Sequence, residues 1–373
     1  MAKYDLILKG GRVVDPSQGL DAPLDLAVAG GRVAALAAAI PSEDSDRVVD
    51  VSGKLVLPGL VDLHTHAYWG VCEYGIDPDT NCLPNGVTTV LDVGSAGSIT
   101  FPAFRRFIIE PARTRVLALM HVNTMGMTHT VGELIGQQYL DPERTAAAAK
   151  EHSDIVIGIK VRLSRNVAGE RDWEAFTAAR KAADVAALPL MVHFGDSFTP
   201  LPRVLDELGP GDILTHCFTG RRNNILGEDG RVLPAVWAAA RRGVYFDVGH
   251  GMGSFSFQVA RTALEQGFLP TTISSDLHAY SAAHPVVNLL TTMTKFVHLG
   301  VPLQDVIQRS TSVPARLLGL EGKIGTLKPG AEADVAVVRE LEGEFKLWDC
   351  MGDSLVSSRL LSPVLTLRAG RLC

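Results

Sequence analysis

The chain has 373 residues, of which 46% are hydrophobic and 20% are charged, a composition typical of a soluble globular protein with one large domain or a large and a small one. Its formal net charge is 35 − 41 = −6, so we expect neither nucleic acid nor an anionic membrane as a partner. No apolar run approaches the roughly 20 residues of a membrane helix, and the first residues do not resemble a secretory signal. The five cysteines are odd in number and scattered, which favours reduced thiols and a cytoplasmic protein over a disulfide framework.

The N-terminal segment, residues 1–56, is rich in β signals. Two pairs of short apolar runs are each separated by a glycine dipeptide, at Gly10-Gly11 and at Gly30-Gly31. A glycine pair between two strand-like runs predicts a β-hairpin, because glycine supplies the positive φ angles of tight hairpin turns. We therefore expect two hairpins in a small β-rich unit.

The central segment, residues 57–322, alternates between strand-like and helix-like stretches. The apolar strand candidates are 60–63, 87–92, 115–121, 155–162, 189–193, 212–216, 244–248 and 272–275. Two of the intervening stretches, Pro142–His152 and Arg171–Ala187, are alanine-rich and carry acidic residues near their starts, as helix N-termini prefer. This alternation predicts an α/β fold, a (β/α)8 TIM barrel.

The C-terminal segment, residues 323–373, returns to β character. Turn-forming residues at 325–330 precede an apolar strand at 334–338, and residues 364–371 resemble a closing hairpin. The economical interpretation joins residues 1–56 and 323–373 in one composite β domain, a small β-sandwich that flanks the barrel. Two separate β appendages are the alternative.

Polar residues fall where the predicted barrel strands end. His64 and His66 follow the first strand two residues apart, so in an extended chain they project to the same side and can share one metal ion. Four further candidates lie on later strands, namely Lys160 within the fourth, His193 at the end of the fifth, His216 at the end of the sixth and Asp276 at the end of the eighth. The C-terminal ends of barrel strands converge on one face, so all of these side chains are expected in one pocket. A lysine in an apolar strand is hard to explain as structural, because lysine is almost never buried without a partner.

The order His-x-His, Lys, His, His, Asp resembles the amidohydrolase superfamily, in its binuclear-metal branch. Further stretches that resemble this family are Asp15, Pro58–His66, Gly86–Thr89, Ser275-Asp276 and Gly325–Asp334, so the resemblance covers nearly the whole chain. Three more, Ala67–Gly70, Thr215–Phe218 and Asp247–Gly251, are similar to one dihydroorotase-like subgroup, the amidohydrolase/deacetylase metallohydrolases.

The resemblance implies two divalent metal ions, with zinc as the first choice. His64, His66 and Asp276 are implied to hold one ion. His193 and His216 are implied to hold the other.

The resemblance also implies a role for Lys160, which as an ammonium has no lone pair and cannot bind a metal. In the family this lysine is carboxylated by CO2, and the carbamate bridges the two metals together with a hydroxide. The hydroxide attacks the carbonyl carbon of the substrate, and Asp276 serves first as general base and then as general acid.

The subgroup resemblance further predicts a deacetylase that cleaves an amide or ester acyl bond in a small N-acyl or O-acyl carboxylate compound. Tyr68 is a candidate oxyanion donor and Arg162 a candidate partner for the substrate carboxylate, each weighed against a packing or ion-pair role. His250 and His278, just past strands seven and eight, are further candidates for substrate contact. We also expect a homo-oligomer.

Three alternatives stay open at this point. A cyclic-amide hydrolase of the dihydroorotase, dihydropyrimidinase or hydantoinase kind is the nearest, although dihydroorotases usually place an arginine where this chain has Tyr68. A non-catalytic scaffold with the same fold is expected to lack metal ligands, yet every ligand position is filled. A one-metal deaminase does not need the strand-four lysine, so Lys160 argues against it.

Overall fold

The computed structural model describes residues 2–373. Its strands, in chain order, are β1 (Leu6–Asp15), β2 (Leu20–Ala29), β3 (Arg32–Ala37), β4 (Val48–Asp50), β5 (Leu55–Pro58), β6 (Leu60–Thr65), β7 (Val87–Gly97), β8 (Arg115–His121), β9 (Val156–Leu163), β10 (Leu190–Phe194), β11 (Ile213–Thr215), β12 (Tyr245–Asp247), β13 (Val335–Trp348), β14 (Ser354–Arg368) and β15 (Arg371–Leu372). Its α-helices are α1 (Pro78–Asn81), α2 (Phe101–Phe104), α3 (Pro142–Glu151), α4 (Arg165–Ala168), α5 (Asp172–Ala186), α6 (Leu201–Asp206), α7 (Pro234–Arg242), α8 (Phe257–Glu265), α9 (Leu289–His298), α10 (Leu303–Arg309) and α11 (Ser312–Leu317).

The central strands form a nearly closed parallel barrel. They pair in the order β6-β7-β8-β9-β10-β11-β12, which is also their order along the chain. These strands correspond to the first seven of the eight predicted, and only β7 departs from its predicted limits by more than two residues. The predicted TIM-barrel class is confirmed.

The eighth predicted strand, 272–275, is extended backbone but not a regular strand. Single parallel bridges at Thr272 and Leu277 join this stretch to β12 and β6, so it closes the barrel. The backbone N–H of Ser275 donates to Asp62 Oδ1 at 2.9 Å rather than to a neighbouring carbonyl. The prediction of a regular strand is wrong here, because the Asp62 carboxylate takes the place of a backbone carbonyl as the hydrogen-bond acceptor.

The two ends of the chain form one flanking mixed sheet. Its strand order is β15-β14-β13-β5-β1-β2-β3, with β4 paired to β1. β13 pairs with β5 in antiparallel register, which sets Val335 opposite Pro58. Apolar side chains from both ends, among them Leu8, Val56 and Leu367, pack in one buried cluster. The N- and C-terminal segments are therefore one sheet rather than two appendages.

The dipeptide Gly10-Gly11 does not form a hairpin turn, contrary to the prediction. β1 runs through it as one strand, and a register shift against β2 at this point marks a bulge. Gly10 has a φ of +74°, and a Cβ on Gly11 would lie 2.5 Å from Val56 Cγ2. Glycine is needed here for the bulge and for the close approach of β5. The predicted hairpin at Gly30-Gly31 is confirmed by the pairing of β2 with β3.

We expect Gly11→Ala to lower the free energy of unfolding by about 1–3 kcal/mol, because the added methyl group overpacks the contact with Val56. Gly209→Ala is the matched control, since a Cβ at that position meets nothing closer than 4.0 Å. Urea unfolding followed by circular dichroism measures both. Equal stability of the two variants would contradict this account of the bulge.

The two alanine-rich helices lie where they are predicted, as α3 and α5. Asp141 caps α3, because its side chain accepts from the N–H of Arg144 at 2.9 Å and satisfies a free donor of the first turn. Small buried side chains such as Ala175 and Ala179 form the inner face of α5. Within residues 2–373, no helix combines the length and the apolar character that crossing a bilayer requires.

A turn of the flanking sheet reaches the barrel. Residues 349–353 connect β13 to β14, and we name them the sheet tip. Asp349 Oδ2 accepts from the backbone N–H of Phe257 at 3.0 Å, and the backbone N–H of Cys350 donates to the Phe255 carbonyl at 3.0 Å. The sheet tip thus binds the stretch at the start of α8.

Candidate metal centre

Three predicted metal ligands meet at the C-terminal end of the barrel. One ligand atom from each of His64, His66 and Asp276 lies within 4.8 Å of the other two. Asp276 Oδ1 is 3.5 Å from His64 Nε2 and 3.4 Å from His66 Nε2. This oxygen is buried and has no hydrogen-bond partner among the residues described. A buried carboxylate oxygen that faces two imidazole nitrogens is a suitable donor set for a divalent cation.

The other ring nitrogen of each of these histidines contacts a hydroxyl group. His64 Nδ1 lies 2.9 Å from Thr215 Oγ1, whose own proton goes to Asp247 Oδ2 at 2.7 Å. Thr215 must therefore accept from His64, which puts the proton on Nδ1 and leaves the Nε2 lone pair free. His66 Nδ1 contacts Ser95 Oγ at 3.0 Å. Such contacts orient a metal-binding imidazole.

His193 and His216 form a second pair of facing imidazoles. His193 Nδ1 lies 2.7 Å from His216 Nε2, and the centroid of the His216 ring is 4.9 Å from that of His64. His216 donates through Nδ1 to the Gly249 carbonyl at 2.6 Å, so its Nε2 carries a lone pair. His193 Nε2 contacts Ser164 Oγ at 3.0 Å. His216 Nε2 therefore accepts a hydrogen bond from His193 Nδ1.

Lys160 is buried on β9, next to the histidines. Within residues 2–373, the only hydrogen-bond contact of its amine is Met191 Sδ at 3.5 Å, and no carboxylate lies within ion-pair distance. Burial lowers the pKa of Lys160 to about 7, although the charge of Asp276 acts in the opposite direction. A substantial fraction of this amine is therefore neutral at physiological pH.

The four histidines are neutral at physiological pH, the form that binds metal ions. Burial, followed by the charge of Lys160, lowers the pKa of His64 and of His66 well below the usual value. Burial also lowers the pKa of His193 well below that value and the pKa of His216 to about 4.

The site opens into a cavity of about 420 Å³ at the mouth of the barrel. Two predicted substrate contacts, Arg162 and His278, line this cavity. Arg162 Nη1 donates to Glu133 Oε2 at 2.8 Å in a buried ion pair, which occupies one arm of the guanidinium. His278 stacks on Tyr74 with ring centroids 4.5 Å apart.

Tyr68 and His250, the other two predicted substrate contacts, are not among the residues that line this cavity. The Tyr68 hydroxyl donates to the Thr100 carbonyl at 3.1 Å, and the ring packs against Phe104. His250 is 0% exposed, and protein atoms contact both of its ring nitrogens. Both residues lie beyond the ends of their strands, where two-residue spacing no longer fixes the direction of a side chain.

Sequence reasoning missed several side chains of the cavity, among them Tyr74, Arg165 and Arg221. Arg165 pairs with Asp196 at 3.2 Å, and Arg221 Nε donates to the Gly253 carbonyl at 3.4 Å. Tyr74 and Arg221 lie on loops and Arg165 lies on the one-turn helix α4, and none of these segments has a periodic pattern of apolar residues. The one available signal is that Arg221 follows His216 closely in the chain.

Comparisons with known proteins show what this chain is similar to. A family described as the amidohydrolase family matches residues 256–351. A deacetylase of Agrobacterium fabrum is 34% identical over 342 residues, which span 91% of this chain and 84% of that protein. A deacetylase of Enterococcus faecalis is 32% identical over 99% of both chains.

Solved structures are similar over the whole chain. One described as an adenine deaminase has a TM-score of 0.90 and 31% identity, and it covers 99% of both chains. Another, described as a dihydroorotase, has a TM-score of 0.88 and 32% identity, and covers 98% of this chain and 97% of its own. The similarity therefore includes the flanking sheet as well as the barrel.

Proposed function

Because the chain belongs to the amidohydrolase family, we propose that this hydrolase is a deacetylase that removes a small acyl group from an N-acyl or O-acyl compound carrying a carboxylate. The observation that carries the proposal is the buried, unpartnered Asp276 oxygen that faces the Nε2 atoms of His64 and His66. The two relatives named deacetylase, at 34% and 32% identity, support the choice of acyl group.

We propose that the site holds two divalent ions, with zinc as the first choice. His64, His66 and Asp276 hold one ion, since one ligand atom of each lies within 4.8 Å of the other two. His193 and His216 hold the second, since their ring nitrogens are adjacent and His193 can instead carry its proton on Nε2, beside Ser164 Oγ, which frees its Nδ1 lone pair. When bound, the ions polarise the substrate carbonyl and lower the pKa of water.

We propose that Lys160 carries a carboxylate derived from CO2. The neutral amine attacks the carbon of CO2, an N–C bond forms as one C=O π bond opens, and the nitrogen releases one proton to solvent. The product is a carbamate with one negative charge, whose oxygens would supply the metal-binding lone pairs that an ammonium lacks. Among the described residues 2–373, the amine otherwise has only the Met191 thioether as a partner, which is a poor environment for an ammonium.

Asp276 is the proton carrier of the proposed reaction. Its carboxylate would take a proton from the attacking water and then return that proton to the leaving nitrogen or oxygen. Arg162, Arg165 and Arg221 line the same cavity and supply the positive charge that favours a substrate carboxylate. His278, whose ring stacks on Tyr74, is the remaining proposed substrate contact.

A panel of acyl compounds tests this function. We expect metal-loaded protein to release acetate from N-acetyl amino acids or from acetyl esters of hydroxy acids, and to prefer these acids to their uncharged methyl esters. Release is measured by a coupled acetate assay. No acetate from any member of the panel would contradict the deacetylase proposal.

A cyclic-amide hydrolase is the second candidate, because a structure described as a dihydroorotase is 32% identical over nearly the whole chain. Against it, the residue two after His66 is Tyr68, which packs against Phe104 and offers no cation to a cyclic substrate. Ring opening of dihydroorotate, hydantoin or dihydrouracil, without acetate release from the acyl panel, would favour this candidate.

A further inference from the structure

The barrel contains a second buried lysine, which the proposed chemistry does not use. Lys295 lies on α9 and is 0% exposed. Its amine is 2.8 Å from His250 Nε2 and donates to the Pro285 carbonyl at 2.9 Å. Within residues 2–373 no carboxylate lies within ion-pair distance of it, and burial lowers the pKa of Lys295 to about 7. Burying an amine without a carboxylate partner costs folding free energy, so the contact between Lys295 and His250 needs a functional reason.

The other ring nitrogen of His250 contacts a backbone carbonyl. Its Nδ1 lies 2.9 Å from the Gly251 carbonyl, which can only accept. The proton therefore sits on Nδ1, and Nε2 accepts from Lys295. The ring also stacks on Phe255 with centroids 4.5 Å apart. Lys295 and Gly251 together fix one tautomer and one orientation of the His250 ring.

The backbone on either side of His250 touches the proposed metal ligands. The Gly249 carbonyl is the acceptor for His216 Nδ1 at 2.6 Å. A Cβ on Gly249 would lie 2.9 Å from His64 Nδ1, and a Cβ on Gly251 would collide with Asp276 Oδ2. Residues 249–251 thus lie directly against three proposed ligands, and small shifts of this stretch move the Gly249 carbonyl.

We propose that Lys295 and His250 are positioning residues that hold residues 249–251 in place, so that the Gly249 carbonyl keeps His216 protonated on Nδ1 with its Nε2 free for metal. The catalytic part of this proposal rests on the proposed function, because it acts through His216. Neither residue lines the cavity, so the pair acts through the backbone and not on the substrate.

Kinetics of a double-mutant cycle test the pair. We expect Lys295→Met and His250→Gln each to lower kcat by about 10- to 100-fold, as for other groups that orient a metal-binding imidazole, with KM changed less than about twofold. The double variant should lose no more than the worse single one, because both changes break the same link. Thr292→Val is the matched control, since it removes an unpartnered buried hydroxyl from the same helix, and it should keep full kcat. The proposal is overturned if either single variant keeps wild-type kcat. It is also overturned if the losses of kcat add in the double variant, or if Thr292→Val loses as much kcat as the single variants.

Histidine 15N NMR gives a readout that needs no substrate. In the wild type we expect His216 and His250 both to show the Nδ1-protonated signature. Lys295→Met should shift the signal of His216, which Lys295 does not touch, whereas Thr292→Val should not. If Lys295→Met does not fold, His250→Gln serves in the same comparison. An unmoved His216 signal overturns the positioning role. A wild type that cleaves no acyl compound instead overturns the proposed function and leaves the NMR result to decide the pair.

Discussion

Replacing Lys160 with methionine is expected to remove one of two bound metal equivalents and to lower kcat/KM by about 1,000-fold or more. Methionine has a similar length and no charge to bury, but it cannot react with CO2. Losing a bridging ligand should cost more than the 10- to 100-fold that loss of a ligand's hydrogen-bond partner typically costs. The barrel should remain folded, because the substitution removes a buried amine whose only partner in the described part of the chain is Met191 Sδ at 3.5 Å.

Lys181→Met is the control for this experiment. Lys181 lies on α5, and its side chain is 58% exposed beside Glu143, so its loss should leave metal content and activity unchanged. Metal content is measured by plasma mass spectrometry after gel filtration. In addition, wild-type protein grown under 13CO2 should give a carbamate 13C resonance that is missing from Lys160→Met. Two metal equivalents and full activity in Lys160→Met would rule out the bridging role.

Asp276→Asn should lower kcat by about 100- to 10,000-fold, the usual contribution of a positioned proton carrier. Asparagine keeps the shape of the side chain and one oxygen toward His64 and His66, but it cannot take up a proton. Steady-state kinetics on the best acyl substrate measure the loss, and metal content separates a proton-transfer defect from loss of metal.

Asp154→Asn is the matched control for the loss of a carboxylate. Asp154 is exposed and pairs with Arg105 at 2.8 Å, away from the cavity, so this variant should keep wild-type kcat. Activity of Asp276→Asn within tenfold of the wild type would mean that another group carries the proton.

The strand periodicity and the residues at strand ends were sufficient to predict the barrel and to predict that its polar side chains converge. A parallel barrel brings the C-terminal ends of its strands together whatever their separation in sequence, so His64 and Asp276 could be predicted to meet. Lys160 was expected in the same pocket because it lies on the fourth strand, and its role as a carboxylated ligand was implied only by the family resemblance.

The prediction failed where the backbone leaves regular geometry. Gly10 adopts a positive φ inside a strand, and a glycine pair alone does not distinguish a bulge from a turn. The stretch around Ser275 bonds to Asp62, a tertiary contact that no local pattern reveals. For Tyr68 and His250 the substrate contact stays a prediction, because both residues lie on loops, where packing against Phe104 or Phe255 and not a strand period decides the direction of the side chain.

The sheet tip has a consequence for how the molecule unfolds. It binds the start of α8, and Cys350 Sγ within it lies 3.8 Å from His250 Nδ1, so the two sheets meet right behind the site. Local unfolding of the sheet tip would expose the barrel behind the site, and local unfolding of the barrel there would expose the sheet tip. We therefore expect the amide protons of β13 and of the barrel strands to exchange with deuterium in one common, slow event, so that the sheet and the barrel unfold as one cooperative unit.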